Sequence, residues 1–422
     1  MSMVDLVTSE QIEKAYHVLE PVVTKTLLQY DDYLSKKYQA TVYLKREDLQ
    51  IVRSFKLRGA YYAISQLPEE KLKKGVVCAS AGNHAQGVAY TCFKMGVSAT
   101  IFMPVTTPKQ KVNQVEAFGG DQVTIKLAGD TFDQSKDMAI FYGEEHGLTF
   151  INPFDDENII AGQGTVALEI VEQLNKKQAS PADYVFTPIG GGGLISGVSA
   201  YFKDKSPTTK IIGVEPIGAA SMLLSLKEQH VTPLSHLDKF VDGAAVQEVG
   251  EMTFLHSQQL VDAVCDVPVG KVCSTILELY TKQAIVVEPA GALSVTALDD
   301  YKEEIKGKTV VCIISGGNND IQRMPEIEER SLIYEGLKHY FVVNFPQRAG
   351  ALKEFVSDVL GPHDDITKFE YTKKLNRGSG PVVIGILLQD HNDYASLIER
   401  LTIFDPNYIN LQENESLYTL LV

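Results

Sequence analysis

Apolar, β-branched runs alternate with helix-like segments from about residue 40 to residue 325. The apolar runs have the length of buried strands, and the segments between them have helical periodicity. Near-continuous apolar strands separated by helices predict an α/β fold of parallel layers covered on both faces. The predicted strands are 41–46, 75–80, 99–103, 122–127, 148–152, 184–189, 210–215 and 309–314. The clearest predicted helices are 83–94, 109–118, 131–145 and 270–283.

The pattern changes after residue 320, where a charged, helix-forming segment at 321–338 is typical of a connector. The order beyond it is βαββαβ with a trailing strand, which predicts a ferredoxin-like unit. Its predicted strands are 339–345, 365–373, 381–389, 408–411 and 416–422, and its helices are 350–360 and 393–404. We predict a first domain at 1–325 with a small subdomain of about 53–150 inserted in it, a linker at 326–338 and a second domain at 339–422.

Composition narrows the class of protein. The chain of 422 residues is 44% apolar, but no run approaches the ~20 apolar residues of a membrane span. The first ten residues lack a signal-peptide pattern, so we expect a cytoplasmic protein. The formal charge of 39 − 54 = −15 argues against nucleic acid or an anionic membrane as partner. Five cysteines without a Cys-x-x-Cys pair predict free thiols in a reducing compartment.

In parallel sheets, ligands bind where strands end and helices begin, so the turns at those points carry the candidate chemistry. Gly190, Gly191, Gly192 and Gly193 follow the predicted strand 184–189 and precede a helix-like segment. Four glycines allow backbone N–H groups to converge at a helix N-terminus, which favours a phosphate. Neither the Gly-x-x-x-x-Gly-Lys nor the Gly-x-Gly-x-x-Gly pattern is present, so a single phosphate monoester is favoured over a nucleotide.

A second turn contains Ser80, Ala81, Gly82, Asn83 and His84. The serine hydroxyl and the first amides of the following helix suit an anion such as a substrate carboxylate, and an asparagine offers both a donor and an acceptor. An ordinary helix N-cap, with the histidine on the helix surface, explains the same residues.

A third turn begins with Ser315 at the end of the predicted strand 309–314. A serine hydroxyl can donate to a neutral pyridine nitrogen, whereas an aspartate would keep that nitrogen protonated. A plain tight turn is the alternative.

Lys56 is the candidate for covalent chemistry, because it lies between Phe55 and Arg58 just before a helix. An apolar or cation-rich setting lowers the pKa of a lysine amine, and the free amine forms Schiff bases with aldehydes. A surface lysine with a packed aliphatic stem is the alternative. Metalloprotease and serine-hydrolase motifs are absent, and the nine histidines have no metal-ligand spacing.

Together these motifs resemble the fold-type II pyridoxal phosphate enzymes, whose fold is like that of the tryptophan synthase β-subunit, and within them the threonine dehydratases. The resemblance covers nearly the whole chain. It runs through 54–60 (Ser-Phe-Lys-Leu-Arg-Gly-Ala), 80–87 (Ser-Ala-Gly-Asn-His-Ala-Gln-Gly), 190–194 (Gly-Gly-Gly-Gly-Leu), 288–292 (Glu-Pro-Ala-Gly-Ala) and 315–318 (Ser-Gly-Gly-Asn).

The resemblance implies a role for each residue. Lys56 would carry pyridoxal 5'-phosphate and remove the α-proton of the substrate, with Phe55 covering the cofactor ring. Asn83 would contact the ring hydroxyl, Ser315 the pyridine nitrogen, and the four glycines with Leu194 the phosphate. The turn at 80–84 would bind the substrate.

The implied reaction is that of an L-threonine ammonia-lyase, which forms 2-oxobutanoate and ammonia in the first step of isoleucine biosynthesis. The resemblance also admits L-serine as a second substrate. A neutral pyridine is a weaker electron sink than a protonated one, which favours β-elimination over transamination.

Serine racemases are similar, but their strand-end turn has a second serine that acts from the opposite face of the cofactor. Ala81 occupies that position here, so elimination is favoured over racemisation. Glu215 and Ala219 match the racemase metal site, but Ser221 stands where a carboxylate is expected, so we expect no divalent metal.

The segment 339–422 resembles the ACT-like regulatory domain of these dehydratases, in one copy. The resemblance runs through 339–352 (His-Tyr-Phe-Val-Val-Asn-Phe-Pro-Gln-Arg-Ala-Gly-Ala-Leu) and 364–371 (Asp-Asp-Ile-Thr-Lys-Phe-Glu-Tyr). The resemblance implies isoleucine as inhibitor, valine as opposing effector, and a homo-oligomer, either a dimer or a tetramer. A tail that only mediates assembly is the alternative. Two other functions stay open: a catabolic serine/threonine dehydratase and a non-catalytic amino-acid sensor.

Overall fold

The computed structural model describes residues 6–371 and 378–422. The chain divides into two compact units, Met1–Ile321 and Gln322–Val422. In the described residues, every helix is too short or too polar to cross a lipid bilayer.

The described residues of the first unit form ten strands and thirteen α-helices. Its strands are β1 (Leu28–Tyr30), β2 (Thr41–Arg46), β3 (Val76–Ala79), β4 (Ala99–Met103), β5 (Val123–Leu127), β6 (Thr149–Phe150), β7 (Tyr184–Pro188), β8 (Lys210–Pro216), β9 (Ala263–Val267) and β10 (Thr309–Ile314). Its helices are α1 (Ser9–Leu19), α2 (Asp32–Tyr38), α3 (Lys56–Ser65), α4 (Glu69–Lys74), α5 (Asn83–Met95), α6 (Lys109–Gly119), α7 (Phe132–His146), α8 (Glu157–Lys176), α9 (Gly193–Lys205), α10 (Ser221–Glu228), α11 (Glu251–Leu260), α12 (Val269–Gln283) and α13 (Pro289–Thr296).

The strands form two sheets. The larger has the order β1-β2-β10-β7-β8-β9 and the smaller the order β5-β4-β3-β6. Every pair in them is parallel except β1 with β2. The predicted α/β fold is therefore confirmed. Strands β1 and β9 were not predicted, because β1 has three residues and β9 is a partly exposed edge strand without an apolar run.

Helix α8 is buried along most of its length and packs against both α3 and α9. Glycines permit the close approach, since a Cβ on Gly162 would lie 2.7 Å from the carbonyl oxygen of Arg58. A Cβ on Gly197 would similarly lie 2.5 Å from the backbone nitrogen of Gly164. Helix α8 therefore holds α3, which begins at Lys56, at a fixed distance from α9, which begins in the four-glycine turn.

The second unit is an antiparallel sheet with helices. Its strands are β11 (Lys338–Pro346), β12 (Asp365–Tyr371), β13 (Ser379–Leu387) and β14 (Ile409–Asn410). Its helices are α14 (Met324–Tyr334), α15 (Ala351–Asp358), α16 (Tyr394–Phe404) and α17 (Glu415–Leu421). The sheet order β12-β13-β11-β14 is ferredoxin-like. Three phenylalanines, Phe345, Phe355 and Phe404, pack together between the sheet and its helices.

The predicted trailing strand at 416–422 is wrong, because these residues form helix α17. The Asn414 side chain accepts a hydrogen bond from the Leu417 amide at 3.1 Å and caps the helix. Tyr418 then packs edge-on against Tyr340 of β11. A short apolar run has no periodicity that separates strand from helix, so the cap decides the outcome. The predicted end of strand 365–373 at residues 372 and 373 lies outside the described residues, as do residues 1–5.

Candidate active site

The turn after β10 is joined to the segment that carries Lys56. Ser54 forms an isolated antiparallel bridge with Gly316, and the Phe55 amide donates to the carbonyl oxygen of Ser315 at 3.2 Å. Ser315 is 2% exposed. Two of the segments singled out in the sequence, which are far apart along the chain, are therefore in direct contact.

The amine of Lys56 is partly buried at the start of α3. Its Nζ donates to the carbonyl oxygen of Pro153 at 2.7 Å and lies 5.5 Å from the centre of the Phe55 ring. Burial lowers the pKa of Lys56 to about 8, and the negative charge of Glu288 acts in the opposite direction. A useful fraction of the amine is thus unprotonated near neutral pH.

Arg58 does not provide the cation-rich setting expected for Lys56, so this expectation is wrong. Its guanidinium is fully buried and donates to Glu47 through Nε and Nη2, both at 2.8 Å, and to Glu169 through Nη1 at 2.7 Å. Lys45 donates to the second oxygen of Glu169 at 2.5 Å, so two cations and two carboxylates are paired. The positive charge of Arg58 is neutralised by these partners, and burial alone lowers the pKa of Lys56.

The four glycines form the turn between β7 and α9, and their neighbours explain why side chains are excluded. A Cβ on Gly191 would overlap the ring of Phe154, and one on Gly193 would lie 3.1 Å from the backbone of Phe154. Gly192 has φ +93°, and a Cβ there would lie 2.8 Å from Thr253. Packing against neighbouring protein atoms therefore already requires glycine at these positions, whether or not a ligand also approaches the turn.

The backbone amides of this turn are available for an anion. Within the described part of the chain, the N–H groups from Gly190 to Ile195 have no protein acceptor. They lie at the N-terminus of α9, which is buried from Gly193 to Phe202. Thr253 steadies the turn, because its hydroxyl donates to the Gly191 carbonyl at 2.7 Å. Free amides at a helix N-terminus suit a phosphate group.

Phe154 was not identified in the sequence, although it connects two predicted site segments. It packs against Gly191, and it follows Pro153, whose carbonyl oxygen accepts from Lys56. Asn152 shapes this segment by accepting from the amides of Phe154 and Asp155 at 3.1 and 2.9 Å. The Asn-Pro-Phe-Asp stretch after β6 is a turn signal that could have been found.

The predicted substrate turn lies between β3 and α5. Ser80, Ala81, Gly82 and Asn83 are partly exposed, whereas His84 is 4% exposed. Ser80 Oγ accepts from the Gly82 amide at 3.2 Å. The alternative of a surface histidine is wrong, because a ring nitrogen of His84 bonds to the carbonyl oxygen of Ile151 at 3.1 Å. Burial, and then the positive charge of Lys56, lower the pKa of His84 to about 3.

Asn83 belongs to a buried polar network. Its Nδ2 donates to Glu288 Oε1 at 2.6 Å, and its Oδ1 accepts from Asn318 Nδ2 at 2.7 Å. Burial, and then the charge of Asp242, raise the pKa of Glu288 to about 7, and the bond from Asn83 opposes this. Glu288 was part of a sequence match but had no predicted role. Lys56 is close enough for the charge of Glu288 to affect its pKa, so the lysine, the asparagine and the carboxylate share one site.

Glu215, which matches a residue of the racemase metal site, lies near the end of β8. Its two carboxylate oxygens accept from the amides of Met222 and Leu223 at 2.9 and 2.8 Å. Burial raises the pKa of Glu215 to about 8. The carboxylate thus caps α10 through the protein's own amides.

Family models match both units of the chain. Residues 19–316 match the model described as pyridoxal-phosphate dependent enzyme. Residues 329–421 match the model described as the C-terminal regulatory domain of threonine dehydratase.

Curated relatives match over the full length. The biosynthetic L-threonine dehydratase IlvA of Lactococcus lactis is 59% identical over 417 residues, covering 99% of this chain and 100% of the relative. The enzyme of the same name from Staphylococcus aureus is 59% identical over 423 residues, covering 100% of both.

Solved structures agree with these matches. The processed form of threonine deaminase isoform 2 from Solanum lycopersicum has a TM-score of 0.71 at 41% identity, covering 78% of this chain and 96% of that chain. The threonine deaminase of T.th. has a TM-score of 0.70 at 33% identity, covering 74% and 99%. Maize serine racemase has a TM-score of 0.71 at 29% identity, covering 78% and 99%. The fold, the turn chemistry and these similarities together show that the chain belongs to the pyridoxal-phosphate-dependent enzymes and, within them, to the biosynthetic threonine dehydratases.

Proposed function

We propose that the chain is an L-threonine ammonia-lyase that converts L-threonine to 2-oxobutanoate and ammonia. One observation carries the proposal. A lysine with a lowered pKa, a glycine turn whose amides have no acceptor among the described residues, and a buried strand-end serine are joined through direct contacts in one unit. The similarity to biosynthetic L-threonine dehydratases supports the choice of substrate.

The residues present suit pyridoxal 5'-phosphate. The free amides of the turn Gly190 to Gly193, continuing to Leu194, would bind its phosphate, and Lys56 would bind its aldehyde carbon. Ser315 would donate to the pyridine nitrogen, and Phe55 would lie along the ring. Asn83 would donate to the ring oxygen. Each hydrogen-bond donor would thus face an acceptor of the cofactor: the amides its phosphate, Ser315 its pyridine nitrogen and Asn83 its ring oxygen.

The cofactor, when bound, supplies the electron sink that makes the α-proton of the amino acid acidic. Lys56 then accepts that proton as its free amine, which its lowered pKa makes available near neutral pH. The β-hydroxyl leaves with a proton as water. The enamine released tautomerises to an imine, and water hydrolyses its C=N bond to give the ketone and ammonia. One water is lost and one is consumed, so threonine yields 2-oxobutanoate and ammonia without an added oxidant or reductant.

The turn Ser80 to His84 would hold the substrate carboxylate through its hydroxyl and the first amides of α5. Ala81 offers no group that could return a proton to the opposite face of Cα. Elimination is therefore favoured over racemisation, although a maize serine racemase has a similar fold. L-serine fits the same chemistry as a second substrate, since it also carries a β-hydroxyl.

For the second unit we propose a regulatory role, with isoleucine as inhibitor and valine as opposing effector in a homo-oligomer. The match of residues 329–421 to the regulatory domain of threonine dehydratase supports it. Coupling between such sites is typically about 1 to 3 kcal/mol, or roughly 5- to 150-fold in affinity. The five cysteines, which form no disulfide in the described residues, suit a cytoplasmic location.

The test is 2-oxobutanoate formation from L-threonine by the full-length protein, followed by borohydride reduction and peptide mass spectrometry. We expect turnover, and a reduced cofactor adduct on Lys56. Lys56→Ala removes both, whereas the control Lys94→Ala, an exposed lysine on α5, retains both. Turnover by Lys56→Ala equal to that of the unmodified chain would contradict the proposal.

Regulation is tested separately by adding isoleucine to the assay and by calorimetric titration. We expect inhibition, relief by valine, and binding heat. If isoleucine changes neither the rate nor the heat, the regulatory part fails and a catabolic enzyme is favoured. The lyase assignment is unaffected by that outcome.

A further inference from the structure

Glu288 has no assigned role, yet its position relative to Asn83 is closely constrained. It precedes α13 and is 6% exposed. A Cβ on Gly316 would overlap Glu288 Oε1, and a Cβ on Gly243 would lie 3.4 Å from the same oxygen. The carboxylate therefore lies against two backbone segments. At Gly316 only a glycine allows this approach, whereas a Cβ on Gly243 would be in ordinary van der Waals contact with the carboxylate.

We propose that Glu288 is a positioning residue that fixes the orientation of the Asn83 amide, so that one N–H of Asn83 is directed at the cofactor. The inference rests on the proposed contact between Asn83 and the cofactor. Glu288 itself would not touch the cofactor and would act only through the Asn83 side chain.

The hydrogen bonds determine which way the Asn83 amide faces. Above its pKa of about 7, Glu288 is ionised and only accepts, so in that form it requires the NH2 group of Asn83 to face it, at 2.6 Å. From the other side, Asn318 Nδ2 donates to Asn83 Oδ1 at 2.7 Å. Asn318 Nδ2 also lies 2.9 Å from the carbonyl oxygen of Val52, a pure acceptor that sets the orientation of the Asn318 amide, and 3.0 Å from Gln86 Oε1. Its two N–H bonds are thus shared among three oxygens. Both neighbours favour the same orientation of the Asn83 amide.

One donor of Asn83 then remains. An asparagine NH2 group has two N–H bonds, and Glu288 accepts one of them. Among the residues the structure describes, the second has no protein acceptor. A ring oxygen of the cofactor matches this remaining donor. If the amide were reversed, its carbonyl oxygen would face both the carboxylate and the cofactor oxygen, and both contacts would be repulsive.

The test measures the affinity of cofactor-free, full-length protein for pyridoxal phosphate by absorbance titration, in a double-mutant cycle of Asn83→Ala and Glu288→Gln. Glutamine has the shape of glutamate but can present either an oxygen or an NH2 group to Asn83. We expect Glu288→Gln alone to weaken cofactor binding about tenfold and to shift the absorption maximum of the bound cofactor. In the Asn83→Ala background it should weaken binding less than twofold, since the residue it positions is absent.

Asp242→Asn is the matched control. After burial, the negative charge of Asp242 is the next cause of the raised pKa of Glu288, so removing that charge changes the local electrostatics while the hydrogen bond from Asn83 remains. We expect cofactor affinity within twofold of that of the unmodified chain. The urea midpoint of each variant shows that the comparison is made between folded proteins.

Equal weakening by Glu288→Gln with and without Asn83 would overturn the proposal, because the two side chains would then act independently. Full affinity and an unchanged spectrum in Glu288→Gln would also overturn it. If Asn83→Ala itself leaves cofactor affinity unchanged, the proposed role of Asn83 fails together with the inference. None of these readouts depends on threonine turnover.

Discussion

The amine of Lys56 donates to the carbonyl oxygen of Pro153 at 2.7 Å, although the two residues are 97 positions apart. Phe154, the next residue, packs against Gly191. The nitrogen that would hold the cofactor aldehyde and the turn that would hold its phosphate are thus aligned by one short segment. Precise alignment of reacting groups is a large part of catalysis.

The first prediction concerns the ionisation of Lys56. Its pKa is lowered to about 8 by burial, and the reactive form is the unprotonated amine. In cofactor-free protein, labelling of Lys56 by acetic anhydride should therefore rise about tenfold per pH unit up to pH ~8 and then level off. Peptide mass spectrometry measures the labelling at each pH.

Lys36 provides an internal control in the same sample. Its hydrogen bond to Asp32 raises its pKa, so its labelling should still be increasing where that of Lys56 has levelled off. A midpoint for Lys56 at or above that of Lys36 would mean that burial does not activate the amine.

The second prediction concerns the glycine turn. Gly191→Ala should weaken cofactor binding and destabilise the protein by about 1 to 3 kcal/mol, because the new methyl group would overlap the Phe154 ring. Adding Phe154→Ala should recover part of the loss by making room. Urea unfolding and cofactor titration check both effects, and a double variant no better than Gly191→Ala alone would contradict the steric explanation.

The third prediction concerns the buried ionic cluster formed by Arg58 of α3 with Lys45, Glu47 and Glu169. Arg58→Met leaves Glu47 and Glu169 without one of their cations, and we expect a loss of about 3 to 5 kcal/mol in the free energy of unfolding. Lys73→Met breaks an exposed pair with Glu69 and should cost less than about 0.5 kcal/mol. Similar urea midpoints for the two variants would show that the cluster is not a major source of stability.

The fourth prediction concerns pH and Glu215. Because its folded pKa is raised to about 8 from 4.5, the folded state binds more protons than the unfolded state between these values. Glu215 therefore reduces stability as pH rises from about 5 to 8, by up to about 1.4 kcal/mol per unit. Glu215→Gln should flatten this dependence of the unfolding free energy. Parallel curves for the two proteins would mean that the amides of α10 keep the carboxylate ionised.

Local patterns were sufficient for much of the fold. The apolar runs predicted eight strands of the two sheets, because parallel strands buried on both faces need continuous apolar residues. The run at 416–422 was misassigned because its helix depends on the Asn414 cap. Strands β1 and β9 were not predicted, because short or half-exposed strands have no long run of apolar residues.

The sequence by itself determined which chemistry is available. Lys56, the four glycines and Ser315 stand at strand ends and helix starts, which is where parallel α/β sheets generally bind ligands. Only the tertiary structure decided what surrounds each of them. Glu288 contacts Asn83 across 205 positions, and Glu169 neutralises Arg58 across 111. Such contacts follow from how helices and sheets pack, and the pKa of a group follows from that packing rather than from its neighbours in the chain.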